Sequence, residues 1–200
     1  MTPIEFIFDF ASPNAYLVHK VVPELKTRSG APVIYTPCLL GGIFKLTNNQ
    51  APMIAFANIA NKMAYEQLET RRFIDRFGLH QFTMNPHFPV NTLLVMRAAI
   101  VAERDGILMP YVETVMQAMW EGRKKMDDPQ VAHGVLKEAG FDADRLLQGT
   151  QDPAVKQTLV QNTDRAVERG AFGIPTFFVG TEMFYGKERL GQVEEAARAG

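Results

Sequence analysis

Two side chains carry most of the chemistry this chain can offer: Ser12, directly before Pro13, and Cys38, the single cysteine. One cysteine can form no intramolecular disulfide, and neither a C-x-x-C redox pair nor a zinc cluster can be assembled. Any thiol chemistry must therefore borrow its sulfur from another molecule. Ser12 follows the aromatic run Ile4-Glu5-Phe6-Ile7-Phe8-Asp9-Phe10, and a hydroxyl residue followed by proline is a helix-start signature. At such a start the hydroxyl, the first helical N–H groups and the positive end of the helix dipole converge, which suits an anion. The ordinary alternative is a plain N-cap, contributing about 1 kcal/mol to helix stability.

A second marker is Gly173-Ile174-Pro175-Thr176-Phe177, where a proline immediately precedes an apolar strand. Pro175 is a candidate for the cis form, against the ordinary alternative of a trans proline opening an edge strand. In the cis form the backbone of Ile174 turns toward the first helix and can bind a peptide-like ligand as an added strand would. Lys45 could neutralise a carboxylate on a second substrate, with Asn85 as a hydrogen-bonding companion; a solvated surface role is the alternative for each. His87, between Pro86 and Phe88-Pro89, reads as part of a rigid loop and is left out of the catalytic set. Met116, Met119, Trp120 and Met126 recur at helical spacings, which suits core packing or one wall of an apolar pocket.

The elements that must position these residues are legible in outline. Ile4 to Phe10 reads as a central strand, apolar on both faces except at Glu5 and Asp9. The helix opened by Ser12 carries Leu17, Val21 and Leu25, should be kinked or interrupted at Pro23, and ends at Ser29-Gly30. Val33 to Thr36 reads as a second, parallel strand, completing a right-handed βαβ unit. More than a hundred residues of helical periodicity follow, with starts marked by Asp128-Pro129 and Asp152-Pro153. Thr176 to Val179 and Met183 to Tyr185 then read as two strands around a tight turn, before a closing helix from about Lys187 to Ala199.

The order βαβ, helical block, ββα matches an α/β thioredoxin-like fold interrupted by a large all-helical insertion. The expected division is a thioredoxin-like domain from 1–45 and 171–200 with a helical insertion domain over 46–170. The alternative, a separate helical domain joined to half a sheet, would leave a sheet edge unpaired.

A formal net charge of -1 leaves no electrostatic footprint for nucleic acid or an anionic membrane, so a small-molecule partner is expected. The 46% hydrophobic content is ample for one core, and no stretch approaches the roughly 18 apolar residues of a membrane span. With no basic leader or apolar signal region at the N-terminus, the expected location is cytoplasmic.

Five blocks in order carry a family resemblance: Phe8 to Tyr16, Lys45 to Asn49, Asn85 to Pro89, Phe172 to Phe177 and Phe184 to Leu190. The chain resembles the kappa-class glutathione transferases and the bacterial 2-hydroxychromene-2-carboxylate isomerases over essentially its whole length. The resemblance implies glutathione as cofactor, with Ser12 holding its sulfur and Ile174, before Pro175, binding the cysteinyl backbone. It further implies that Asn49 reaches the glutathione, and that the turn containing Lys187 and Glu188 binds its γ-glutamyl end. Lys45 and Asn85 then become substrate residues for a small aromatic carboxylate, and a homodimer is expected by analogy. The implied activity is conversion of 2-hydroxychromene-2-carboxylate to trans-o-hydroxybenzylidenepyruvate by reversible thiolate addition. The alternatives are a kappa-type glutathione transferase or peroxidase and a non-catalytic thioredoxin-like binding module.

Overall fold

A computed structural model describes residues 1–200. Strand β1 (Ile4–Phe8) leads into helix α1 (Pro13–Ser29), which returns to strand β2 (Val33–Pro37) alongside β1 and parallel to it. Helices α2 (Leu40–Thr47), α3 (Pro52–Ala55), α4 (Ala60–Phe77), α5 (Leu93–Arg104), α6 (Leu108–Trp120), α7 (Pro129–Glu138), α8 (Ala143–Gly149) and α9 (Pro153–Glu168) follow without an intervening strand. The chain then re-enters the sheet as β3 (Thr176–Val179) and β4 (Glu182–Tyr185) and closes with a 3₁₀ turn, Lys187–Arg189, and α10 (Leu190–Ala199). Sheet order is β2-β1-β3-β4, with β3 antiparallel to both its neighbours. This is the thioredoxin-like arrangement with its large helical insertion.

β1 is central because both faces of Phe6, Ile7 and Phe8 are covered. Phe6 stacks on Phe177 of β3 at 5.3 Å and meets Tyr35 of β2 edge-on at 5.0 Å, so β2, β1 and β3 share one aromatic layer. The strand stops at Phe8, two residues before the expected Phe10, because Asp9 turns its carboxylate onto neighbouring backbone amides. Pro23 does not interrupt α1: it lies on the solvent face, while Val21, Val22 and Leu25 hold the buried face against the core. Gly30 ends the helix at a φ of 68°, a backbone region that favours glycine. The closing helix begins at Leu190 rather than Lys187, whose residue and the next two wind into the tighter turn.

The insertion has an inner and an outer part. Helices α5 and α6 bury most of their apolar residues, including Met116, Met119 and Trp120, and Met126 joins the same core. α4 has no fully buried residue, and Met53, Ile54, Phe56, Ile59 and Tyr65 on and around α3 and α4 are exposed. A part-buried network clamps α1 to α6 and its C-cap residue: His19 Nε2 meets Glu113 at 2.7 Å, Lys20 meets Glu113 at 2.8 Å, and Tyr16 donates to Glu121 at 2.9 Å. His19 Nδ1 pairs with the Tyr35 hydroxyl at 2.8 Å, extending the clamp to β2. No helix is long and apolar enough to cross a membrane.

Candidate active site

Ser12 is the N-cap of α1, and its Oγ accepts from the Ala15 amide at 3.2 Å. The same hydroxyl donates its proton to the carbonyl of Ile174, 162 residues away, at 3.0 Å. Ser12 is 4% exposed and the Ile174–Pro175 bond is cis. Pro13 has no amide hydrogen and Ala15's is taken by the cap, leaving the Asn14 amide without an intrahelical acceptor at the positive end of the helix. The position thus combines one reorientable hydroxyl donor with an electropositive helix end.

The segment Phe172–Pro175 is the hub on one side of Ser12. Asn49 Nδ2 donates to the Phe172 carbonyl at 2.9 Å, and the Gly186 amide donates to the Pro175 carbonyl at 3.0 Å. Gly173 lies against the Tyr185 ring so closely that an added Cβ would sit 2.8 Å from it. Phe172 packs on the same ring at 4.5 Å. Just beyond Gly186, Lys187 is 3% exposed and pairs with Glu188, with the Phe73 ring of α4 5.9 Å from its ammonium. Burial, with help from Glu188 and Glu66, pushes the Tyr185 hydroxyl above its ordinary range. Ser12, Asn49, Ile174, Pro175, Lys187 and Glu188 therefore belong to one continuous strip.

The other side of the β1–α1 connection is different in kind. Asp9 is buried, and its carboxylate accepts from the Thr92 hydroxyl at 2.6 Å, the Leu40 amide at 2.7 Å and the Ala11 amide at 2.9 Å. Burial pushes its carboxyl above the usual range, against those three hydrogen bonds. Asp9 and Ala11 form part of the wall of a cavity of about 410 Å³, which Phe44 of α2 and the Phe88–Leu93 segment complete. The Phe88–Pro89 bond is also cis. Trp120 donates to the Phe10 carbonyl at 2.9 Å and so fixes the connection to the insertion from behind. A second cavity of about 480 Å³ lies along Glu5, Tyr35 and Arg165. It shares no residue with the first, which reaches Ala11, the residue directly before Ser12.

Lys45 and Asn85 line neither cavity. Lys45 is exposed on α2. Asn85 is buried, donating to the Met119 and Lys124 carbonyls at 2.8 and 2.9 Å and accepting from the His87 amide at 2.9 Å, so its amide fastens the loop to the end of α6. Sequence reasoning missed Asp9 and Thr92 as site residues. The available signal was the lone acid at the end of an otherwise apolar aromatic run. Cys38 is fully buried, and burial reinforced by Glu5 and Asp9 pushes its thiol up, so it offers no accessible thiolate.

Sheet order, the Ser12-capped helix and the cis-proline facing it define a thioredoxin-fold protein. The chain belongs to the DSBA-like thioredoxin domain family, which it matches over residues 3–198. The 2-hydroxychromene-2-carboxylate isomerase of Pseudomonas putida is 25% identical over 195 residues, covering 96% of this chain and 93% of that protein. Glutathione S-transferase kappa 1 of Caenorhabditis elegans is 28% identical over 201 residues, covering 94% of this chain and 87% of that protein. A solved structure of 2-hydroxychromene-2-carboxylate isomerase superposes with a TM-score of 0.80 at 24% identity, covering 96% of this chain and 93% of that one. The chain is thus homologous over nearly its whole length to the isomerase family.

Proposed function

We propose that this protein is a glutathione-dependent enzyme that holds the cysteinyl thiolate at Ser12 and uses it as a reversible nucleophile, in an isomerase reaction. The observation that carries the reading is the Ser12 hydroxyl at the head of α1, 3.0 Å from the Ile174 carbonyl. A free thiol has a pKa of about 8.5, and a hydroxyl donor together with a helix N-terminus favours the thiolate. When the sulfur binds, the Ser12 proton turns from the Ile174 carbonyl to the sulfur. Serine forms no mixed disulfide, so the site stabilises a thiolate without exchanging disulfides.

Glutathione is expected to lie along the strip from Asn49 through Ile174 to the 187–189 turn. Its γ-glutamyl end carries both a carboxylate and an ammonium, and Lys187 and Glu188, paired with each other in the free protein, would exchange that contact for one to each. The thiolate adds to an unsaturated carbon, the single bond so created rotates, and expulsion of the thiolate restores the double bond in the new geometry. Glutathione leaves unchanged.

The substrate expected from the relatives is 2-hydroxychromene-2-carboxylate, with Lys45 and Asn85 as its partners. Lys45 lies outside the cavity wall and the amide of Asn85 is occupied, so neither supports that choice. A transferase that consumes the thiolate is the second reading, favoured by the apolar wall of the cavity. Stoichiometry decides between them: an isomerase turns over many substrates per glutathione, whereas a transferase consumes one each cycle. The test of the shared premise is the ultraviolet absorbance of bound thiolate in wild type and Ser12→Ala; equal signal and equal turnover in the two would refute it. Pairing of two copies through the exposed apolar residues of α3 and α4 belongs to the same reading, and sedimentation equilibrium checks it.

A further inference from the structure

The cavity beside Ser12 has a charge pattern that restricts what can enter it. Of its thirteen lining residues eight are hydrophobic, none is Lys, Arg or His, and Asp9 is the one ionisable group. Asp9 is an anion or a neutral acid, never a cation. Its three hydrogen-bond partners, Ala11, Leu40 and Thr92, are all neutral. The cations nearest in sequence do not help: Lys45 follows Phe44 but is exposed, and Arg97, one turn beyond Leu93 on α5, is absent from the wall. A carboxylate entering this space would give up its hydration without gaining a counter-charge, and an ionised Asp9 would repel it.

The cavity nevertheless suits a small molecule. About 410 Å³ is within the range of ligand sites, and its polar residues are few: Asp9, Thr92 bonded to it, and Asn91 beside Thr92. The Thr92 hydroxyl is spent on Asp9, so the Asn91 side-chain amide is the donor that can orient one carbonyl oxygen while the rest of the molecule lies against Leu40, Phe44 and Phe88. We propose that the electrophile is an uncharged α,β-unsaturated carbonyl compound, and that the cation-free wall with Asp9 in it makes the enzyme reject carboxylate substrates. The proposal rests on the glutathione reading above. The thiolate sulfur bonds to the β-carbon as the π pair moves to the carbonyl oxygen. After rotation the pair returns, the C–S bond breaks and the thiolate is regenerated, so no oxidant or reductant is consumed.

Gly41 provides a clean test, because it lines the cavity on α2 and a Cβ added there meets nothing within 4 Å. Gly41→Lys puts a cation on the wall and improves helix propensity. The probes are cis-benzoylacrylic acid and its methyl ester, each rate divided by that with glutathione alone. Wild type is expected to favour the ester by about tenfold or more in kcat/KM, and Gly41→Lys to raise the acid-to-ester ratio by about tenfold. Equal or better turnover of the acid by wild type, or an unchanged ratio in the variant, overturns the proposal. The thiolate absorbance of wild type with glutathione alone is read in the same series: a signal together with a preferred acid sinks only the substrate class, whereas no signal sinks the glutathione reading itself.

Discussion

Phe172–Pro175 and Phe88–Thr92 both flank the β1–α1 connection, and each contains a cis X–Pro bond, yet they build opposite surroundings. The first spends its carbonyls on partners from distant elements: Phe172 on Asn49, Ile174 on Ser12 and Pro175 on Gly186. With buried Lys187 and its partner Glu188 next to it, that side is polar. The second side packs Phe88, Val90 and Leu93 around a cavity whose one charge is Asp9. The difference teaches that a single helix N-terminus can stand between two surroundings of unlike chemistry when each flank is set by a different part of the chain. Ser12 lies between them, and under the proposed function it is the point where a thiolate from one side would meet an electrophile from the other.

The largest expected effect comes from removing that point. Ser12→Ala should lower turnover by about 100-fold, the usual cost of losing one preorganised donor to a reacting anion, and steady-state kinetics with saturating glutathione would measure it. A loss below threefold would mean that the helix end alone holds the sulfur. Lys187→Met should raise the half-saturating glutathione concentration about tenfold while leaving kcat within about twofold, as expected for a charge-assisted contact to the non-reacting end. If the change fell on kcat instead, the polar flank would have to be redrawn.

Thr92→Val probes the apolar flank. It deprives buried Asp9 of its shortest hydrogen bond and should cost about 2 kcal/mol of stability. Urea unfolding would read that cost, and calorimetry should find glutathione affinity unaltered. A parallel loss of glutathione affinity would show that the flanks are not independent.

The smallest effect concerns the clamp behind the site. The His19 hydrogen bond, with help from Lys20, holds the Glu113 carboxyl down to about 2 from its unperturbed 4.5. A depressed folded-state value contributes stability that is present above the unfolded value and lost as pH falls toward the folded one. Stability supplied by Glu113 should therefore disappear between about pH 4.5 and 2. Glu113→Gln should flatten that acid limb in urea melts, only modestly because Glu113 is partly solvated. An unchanged limb would show that the contact adds nothing to folding.

Much of this molecule was readable one segment at a time. Ser12-Pro13, Asp128-Pro129 and Asp152-Pro153 each cap a helix where expected, because a cap depends on residues within one turn of itself. The four strands and the order of elements were legible for a similar reason, since β-branched and aromatic runs reveal buried strands locally. The uninterrupted course of α1 past Pro23 was not legible, because it depends on which face of the helix meets the core. The role of Asn85 was not legible from its block, because its orientation is fixed by carbonyls 34 and 39 residues away.

The sequence by itself determined the helix start at Ser12, the absence of a second cysteine, and hence that any sulfur chemistry must use a borrowed thiol. Only the tertiary structure decided what surrounds that start. The Ser12–Ile174 contact spans 162 residues and Asp9–Thr92 spans 83. Contacts of such range follow from the antiparallel pairing of β1 with β3 and the packing of α5 against β2, not from local propensity. The character of each flank, polar on one side and apolar on the other, is a property of those distant pairings.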